Sequence, residues 1–282
     1  MNRTLAWLLG LALTAALVAG GYKLFVHAGT ELAPTVVTPK MDVHRALSPD
    51  LPTRVAHLLH PQVDDRSGRK RLIALTFDDG PYAVATPLLL DVLRDLGVKA
   101  TFFYIGRDAE QYPELTHRTQ VEGHEIADHT YSHPNLDQLS AAQVAVEITK
   151  GARVLHRYSN DPGIDNLFRP PHGRFTEETL DVAQQLRYHT ILWSDDPGDW
   201  RTVSSQALVS HIERHATAPE IILLHSGRAP TIALLPEVVA RFRKAGYEFV
   251  TVSQLLKRSP ARLTNHPARH TVWYLHPARH AV

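Results

Sequence analysis

Two adjacent carboxylates, Asp78 and Asp79, stand at the end of the apolar run Leu72-Ile73-Ala74-Leu75-Thr76-Phe77 and are followed by Gly80-Pro81. The run reads as a buried strand ending in a turn. Successive strand residues point to opposite faces, so the turn has to bring the two acids towards one place. Like charges this close raise one pKa unless a cation separates their roles. A metal ion holding one carboxylate would leave the other free as a base. The plain alternative is a solvated Asp-Asp-Gly turn.

Other residues of chemical type lie further along. His129 and His133 are four apart, a spacing that on a helical turn puts both imidazoles on one face. The chain has 18 histidines, so the pair alone carries little weight. Joined with Asp79 it makes a two-histidine, one-carboxylate set, which suits a catalytic zinc with an open position and equally an iron(II) centre. Arg169 precedes two prolines, and its guanidinium is suited to clamp Asp78 and keep it ionised. Gly173 permits a sharp turn whose neighbouring amide is placed to face a developing oxyanion. His225 emerges from the apolar run Ile221-Ile222-Leu223-Leu224. A carboxylate partner would raise its pKa and make it a proton donor, and Asp196 and Asp199 are both candidates. Trp200 and Leu223 are placed to wall a small apolar pocket.

The elements that must position these groups recur along the chain. Strand-like runs occur at 72–77, 99–105, 124–128, 166–169, 189–194, 220–225 and 248–252. Helical spacing fills the intervals. Leu88 to Leu96 is closed by Gly97, Val144 to Leu155 follows a Ser140 cap, and Thr176 caps a third helix. Val209 to His215 and Leu234 to Ala245 give two more. The alternation predicts an α/β fold with a parallel sheet, an incomplete (β/α)7 barrel. The acids, histidines and arginine all fall at strand C-terminal ends, which in such a barrel share one face.

Composition narrows the classes. With 282 residues and 44% hydrophobic content, the chain suits one large domain with appendages. A formal net charge of +1 and scattered basic residues give no footprint for nucleic acid. The absence of cysteine restricts any metal to His and carboxylate ligands. The uncharged run Leu5–Tyr22 is intermediate between a signal-peptide core and a spanning helix. Its length favours an uncleaved membrane anchor, and either reading exports the remainder. The expected organisation is a signal-anchor or signal peptide over 1–26, a Pro-rich spacer over 27–70, the catalytic domain over 71–258 and a tail over 259–282. In the tail, His-Pro-Ala-Arg-His occurs at 266–270 and again at 276–280, and reads as a loosely ordered terminus or an accessory metal-binding tract.

Taken together, the motifs T-F-D-D-G (76–80), H-T-x-x-H (129–133), R-P-P-x-G (169–173), D-x-x-D-W (196–200) and L-x-H (223–225) resemble those of the polysaccharide deacetylases of carbohydrate esterase family 4, the NodB-homology domain. The resemblance runs from about 70 to 256. It implies a distorted (β/α)7 barrel and metal-dependent removal of acetyl groups from an N-acetylglucosamine-containing polysaccharide outside the membrane, peptidoglycan or an exopolysaccharide. It implies one divalent metal on Asp79, His129 and His133, zinc first, with cobalt, nickel or iron(II) as alternatives. It makes Asp78 the base tethered by Arg169, and His225 the acid oriented by Asp196. It makes the His172 amide an oxyanion donor, and Trp200 and Leu223 the acetyl pocket. The chain departs from the pattern at Ser226, where Asp is common, at Asp128, where Asn is common, and at His172, where an aromatic is frequent. The alternatives are O-deacetylation of xylan, deformylation of a modified sugar, and a non-catalytic glycan-binding domain.

Overall fold

The computed structural model describes residues 71–201, 203–259 and 272–273. The expected anchor and spacer, and most of the tail, lie outside the described residues. Among the described residues no helix is long and apolar enough to cross a membrane.

In chain order the elements are β1 (Arg71–Asp78), α1 (Ala85–Leu96), β2 (Thr101–Tyr104), α2 (Gly106–Gln111), α3 (Pro113–Val121), β3 (Glu125–Asp128), α4 (Ala141–Leu155), α5 (Gly163–Asn166), β4 (Leu167–Phe168), α6 (Glu177–Gln185), β5 (His189–Ile191), α7 (Ser205–His215), β6 (Glu220–His225), α8 (Ala229–Lys244), β7 (Tyr247–Phe249), α9 (Val252–Arg258) and β8 (Val272–Trp273). The strands form a parallel sheet in the order β6-β1-β2-β3-β4-β5-β8, with β7 also paired to β1. Beyond β5 the chain reaches back to β6 through a single bridge, Asp195 to Ile222. The sheet is therefore curled and nearly closed, an incomplete α/β barrel.

Helix boundaries follow local chemistry. Gly97 ends α1 in the left-handed conformation. The Gln143 side chain reaches back to the Ser140 amide at the start of α4, and Thr176 caps α6 through the Thr179 amide. The helix expected from Val209 begins a turn earlier, because Ser204 accepts from the Ala207 amide. Four short helices, α2, α3, α5 and α9, were not expected; they are too brief to show a strong apolar period.

Strand alternation divides the core in two. Ile73, Leu75, Phe77, Phe102, Tyr104, Ile126, Phe168, Ile222 and Leu224 face the surrounding helices. Leu72, Ala74, Phe103, Ala127, Leu167, Ile191 and Ile221 face inward and pack with Val252 and Leu255 of α9. Carrying that parity forward puts Asp78, His129, Arg169, Leu223 and His225 on the inward face, at the C-terminal ends of their strands. The alternation that builds the core thus also aims the chemical groups.

Candidate active site

Asp78 is the last residue of β1 and is 4% exposed. Asp79 follows with φ 66°. That left-handed turn swings its side chain towards the same mouth instead of the opposite face, and a non-glycine residue adopts it only at some cost. Ser226 locks the turn by donating from Oγ to the Asp78 and Asp79 carbonyls, both at 3.0 Å.

His129 and His133 do converge, but on a loop and not on a helical turn. Thr130 and His133 have φ 69° and 62°, and these left-handed residues fold the loop so that the two rings lie 4.9 Å apart. Among the described residues, four of the five non-glycine residues with positive φ, namely Asp79, Thr130, His133 and His172, are in these motifs. Such concentrated strain is characteristic of functional sites. The Asp128 carboxylate supports the loop by accepting from the Thr130 amide at 2.8 Å.

The donor set fits a divalent metal. His129 Nδ1 lies 2.7 Å from the Arg169 carbonyl. A carbonyl only accepts, so Nδ1 carries the hydrogen and Nε2 presents its lone pair to the site. His133 Nε2 lies 3.3 Å from Asp79 Oδ1, and His129 Nε2 lies 3.9 Å from the same oxygen. Tetrahedral ligands on zinc are separated by about 3.3 Å. Burial lowers both histidines to about 3, so both are neutral, the form that ligates. Burial, and then the Asp78 charge, raises Asp79 to about 6; a cation between these acids would relieve that repulsion.

Arg169 is wholly buried. It donates to Asp78 Oδ1 at 2.5 Å, to Thr76 Oγ1 at 2.8 Å, and to the Ile191 and Leu192 carbonyls. Its guanidinium also lies 4.0 Å over the Phe103 ring. Burial raises the Asp78 pKa and the guanidinium pulls it part of the way back, so the carboxylate is a stronger base than an exposed one.

The partner of His225 is Asp199, not Asp196. Asp199 Oδ1 accepts from His225 Nδ1 at 2.7 Å, and Oδ2 accepts from the His225 amide at 2.8 Å and from Thr231 Oγ1 at 2.5 Å. Asp196 instead accepts from the Gly198 amide at 2.9 Å, forming the turn that delivers Asp199 to β6. Gly198 has φ 73°, and this sharp reversal decides which of the two acids reaches the histidine. Burial alone would lower the His225 pKa, but the Asp199 hydrogen bond and the neighbouring carboxylates raise it to about 9.

The remaining expected residues border this centre. Trp200 is half exposed and lines an open groove of about 570 Å³ with Asp79, Tyr82, His225 and Arg228. Leu223 is buried two residues before His225 on the same face of β6. His172, exposed and with φ 58°, places its ring 4.5 Å from that of His133. Gly173 beside it has φ 63°, and a Cβ there would meet the Trp193 ring at 2.8 Å. Thr76, Tyr82, Arg228 and Thr231 were not picked out from the sequence. Only Thr76, inward-facing two residues before Asp78, carried a signal, that of parity.

A half-barrel with paired acids, two neutral histidines and a charged histidine at one mouth defines a hydrolase-type centre. The polysaccharide deacetylase family model matches residues 65–191. The chain is 37% identical over 193 residues to a peptidoglycan-N-acetylglucosamine deacetylase of Bacillus cereus, covering 67% of this chain and 89% of that protein. It is 34% identical over 189 residues to a chitooligosaccharide deacetylase of Azorhizobium caulinodans, covering 62% and 90%. The solved structure of the peptidoglycan deacetylase PdaC from Bacillus subtilis is similar, with a TM-score of 0.63, 31% identity and 69% and 94% coverage. The chain belongs to the polysaccharide deacetylase family, the family 4 carbohydrate esterases, and is a deacetylase.

Proposed function

We propose that the protein is a metal-dependent N-deacetylase of an N-acetylglucosamine-containing polysaccharide outside the cytoplasm, either peptidoglycan or an exopolysaccharide. The observation that carries this reading is the meeting, at one mouth, of the Asp79–His129–His133 donor set, the Arg169-clamped Asp78 and the Asp199-paired His225. The names of the relatives, which act on peptidoglycan or chitooligosaccharides, support the substrate class. The uncharged run Leu5–Tyr22 supports export.

A divalent metal held by Asp79, His129 and His133, zinc by its ligand chemistry, would supply Lewis acidity and make water acidic enough to attack at neutral pH. Asp78 accepts the proton of the attacking water on Oδ2, and Arg169 holds the carboxylate in place through Oδ1. The His172 amide donates to the oxyanion that develops on the acetyl carbonyl. His225 donates from Nε2 to the leaving nitrogen while Asp199 holds Nδ1–H, fixing both tautomer and orientation. The amide C–N bond breaks, and acetate and a glucosamine unit leave. Leu223 and Trp200 wall the acetyl methyl, and the open groove past Tyr82 and Arg228 leaves room for a polymer. A histidine raised to about 9 suits protonation of an amine and favours the amide over an ester.

The reading is tested by acetate release from N-acetylglucosamine oligomers and from acetylated xylan, side by side. Release from the oligomers is expected; release from xylan alone would transfer the assignment to O-deacetylation.

A further inference from the structure

A second cluster of ligand-type side chains stands on the far side of β6. Asp195 lies where the chain beyond β5 bridges to Ile222, and is 5% exposed. His211 and His215 sit four apart on α7, their rings 4.2 Å from each other. One ligand atom from each of the three residues lies within 4.8 Å of the others. Asp195 Oδ1 is 2.8 Å from His211 Nε2.

Two details go beyond a histidine–aspartate ion pair. The His215 Nδ1 is 2.8 Å from the His211 carbonyl. That carbonyl can only accept, so Nδ1 carries the hydrogen and Nε2 is left with its lone pair. His129 is prepared in the same way at the active site, by the Arg169 carbonyl. The second detail is that Asp195 Oδ2 is buried with no hydrogen-bond partner among the described residues, and so is Glu220 Oε2. Buried carboxylate oxygens without donors are costly unless a cation satisfies them. His211 accounts for one oxygen of Asp195 and leaves the other, and His215, unexplained.

We propose that Asp195, His211 and His215 form a second divalent transition-metal site, separate from the catalytic one. Two imidazoles and a carboxylate suit zinc, cobalt(II), nickel(II) or copper(II) better than magnesium or calcium. His211 ligates through Nε2 by carrying its proton on Nδ1 instead, so that the Nε2–Asp195 contact opens around the ion. A metal here pins α7 to the strand segment that, four residues on, supplies Asp199 to His225. It is a structural clamp, and it does not rest on the identity of the polysaccharide.

The test counts zinc on the full chain. Wild type, His215→Ala and Asp195→Asn are stripped with chelator, reloaded at buffered free zinc, and assayed for bound zinc and for the zinc-induced rise in Tm. His215 is exposed and Asp195→Asn is nearly isosteric, so both variants keep a folded reference. Each variant is expected to bind one equivalent fewer than wild type, or to bind it at least about tenfold more weakly, with a smaller rise in Tm. Because every protein compared retains the catalytic ligands and the tail histidines, those cancel in the difference. Wild-type stoichiometry and affinity in either variant would overturn the proposal.

Discussion

Replacing Asp199 with Asn tests the acid end of the site. Asp199 accepts from His225 Nδ1, from the His225 amide and from Thr231 Oγ1. An Asn can accept through one oxygen only, and its amide group faces donors with a donor. The imidazolium then loses both its charge partner and a well-placed acceptor. A hydrogen bond to a charged group contributes about 1.5–3 kcal/mol, which corresponds to roughly 1–2 pKa units. His225 must be protonated to act as an acid, so activity is present below its pKa and fades as pH rises through about 9. In Asp199→Asn the alkaline limb of the kcat profile should therefore move down to roughly pH 7–8. The control is Asp196→Asn, whose side chain can still accept from the Gly198 amide; its limb should stay in place and its rate within roughly 0.5 kcal/mol of wild type. The assay is acetate release across pH 5–10 at saturating substrate. An unmoved limb in Asp199→Asn, or a limb moved by Asp196→Asn instead, would refute the assignment of the orienting acid.

Three further outcomes follow from the same geometry. Arg169→Met leaves the Asp78 carboxylate buried and unpaired, a loss of about 3–5 kcal/mol, and Tm should fall by roughly 6–20 °C in calorimetry. Asp79→Ala should lose the catalytic metal, whereas Asp78→Asn should keep it and lose turnover; metal analysis beside acetate assays separates the two, and retained turnover in Asp78→Asn would sink its role as base. Gly151→Ala puts a Cβ 2.5 Å from Asp128 Oδ1 and 2.8 Å from the Thr130 carbonyl carbon; it should cost about 1–3 kcal/mol, read as a lower denaturant midpoint.

Much of the site was legible because strand parity and strand ends fix where side chains go. Asp78, Arg169, Leu223 and His225 all follow from the period-two pattern of their strands. The failures share a different physical origin. Asp196 and Asp199 are chemically alike and three residues apart, and the left-handed Gly198 between them decides which reaches His225. The His129–His133 spacing suggested a helical turn, yet Thr130 and His133 achieve the convergence through left-handed backbone that residue spacing does not reveal. Thr231 supports Asp199 from the first turn of α8, a contact between segments that sequence spacing does not encode. The Asp195–His211–His215 cluster was hidden likewise. His211 and His215 fell inside a helix read for its apolar stripe, and only the bridge of Asp195 to β6 brings the acid to them.

The most direct test of the whole account is acetate release from N-acetylglucosamine oligomers by the chelator-stripped protein, before and after zinc is restored to saturation of both sites. The account predicts no release from the stripped protein and recovery on zinc addition. Full release by the stripped protein, or none once metal is bound at Asp79, His129 and His133, would contradict it.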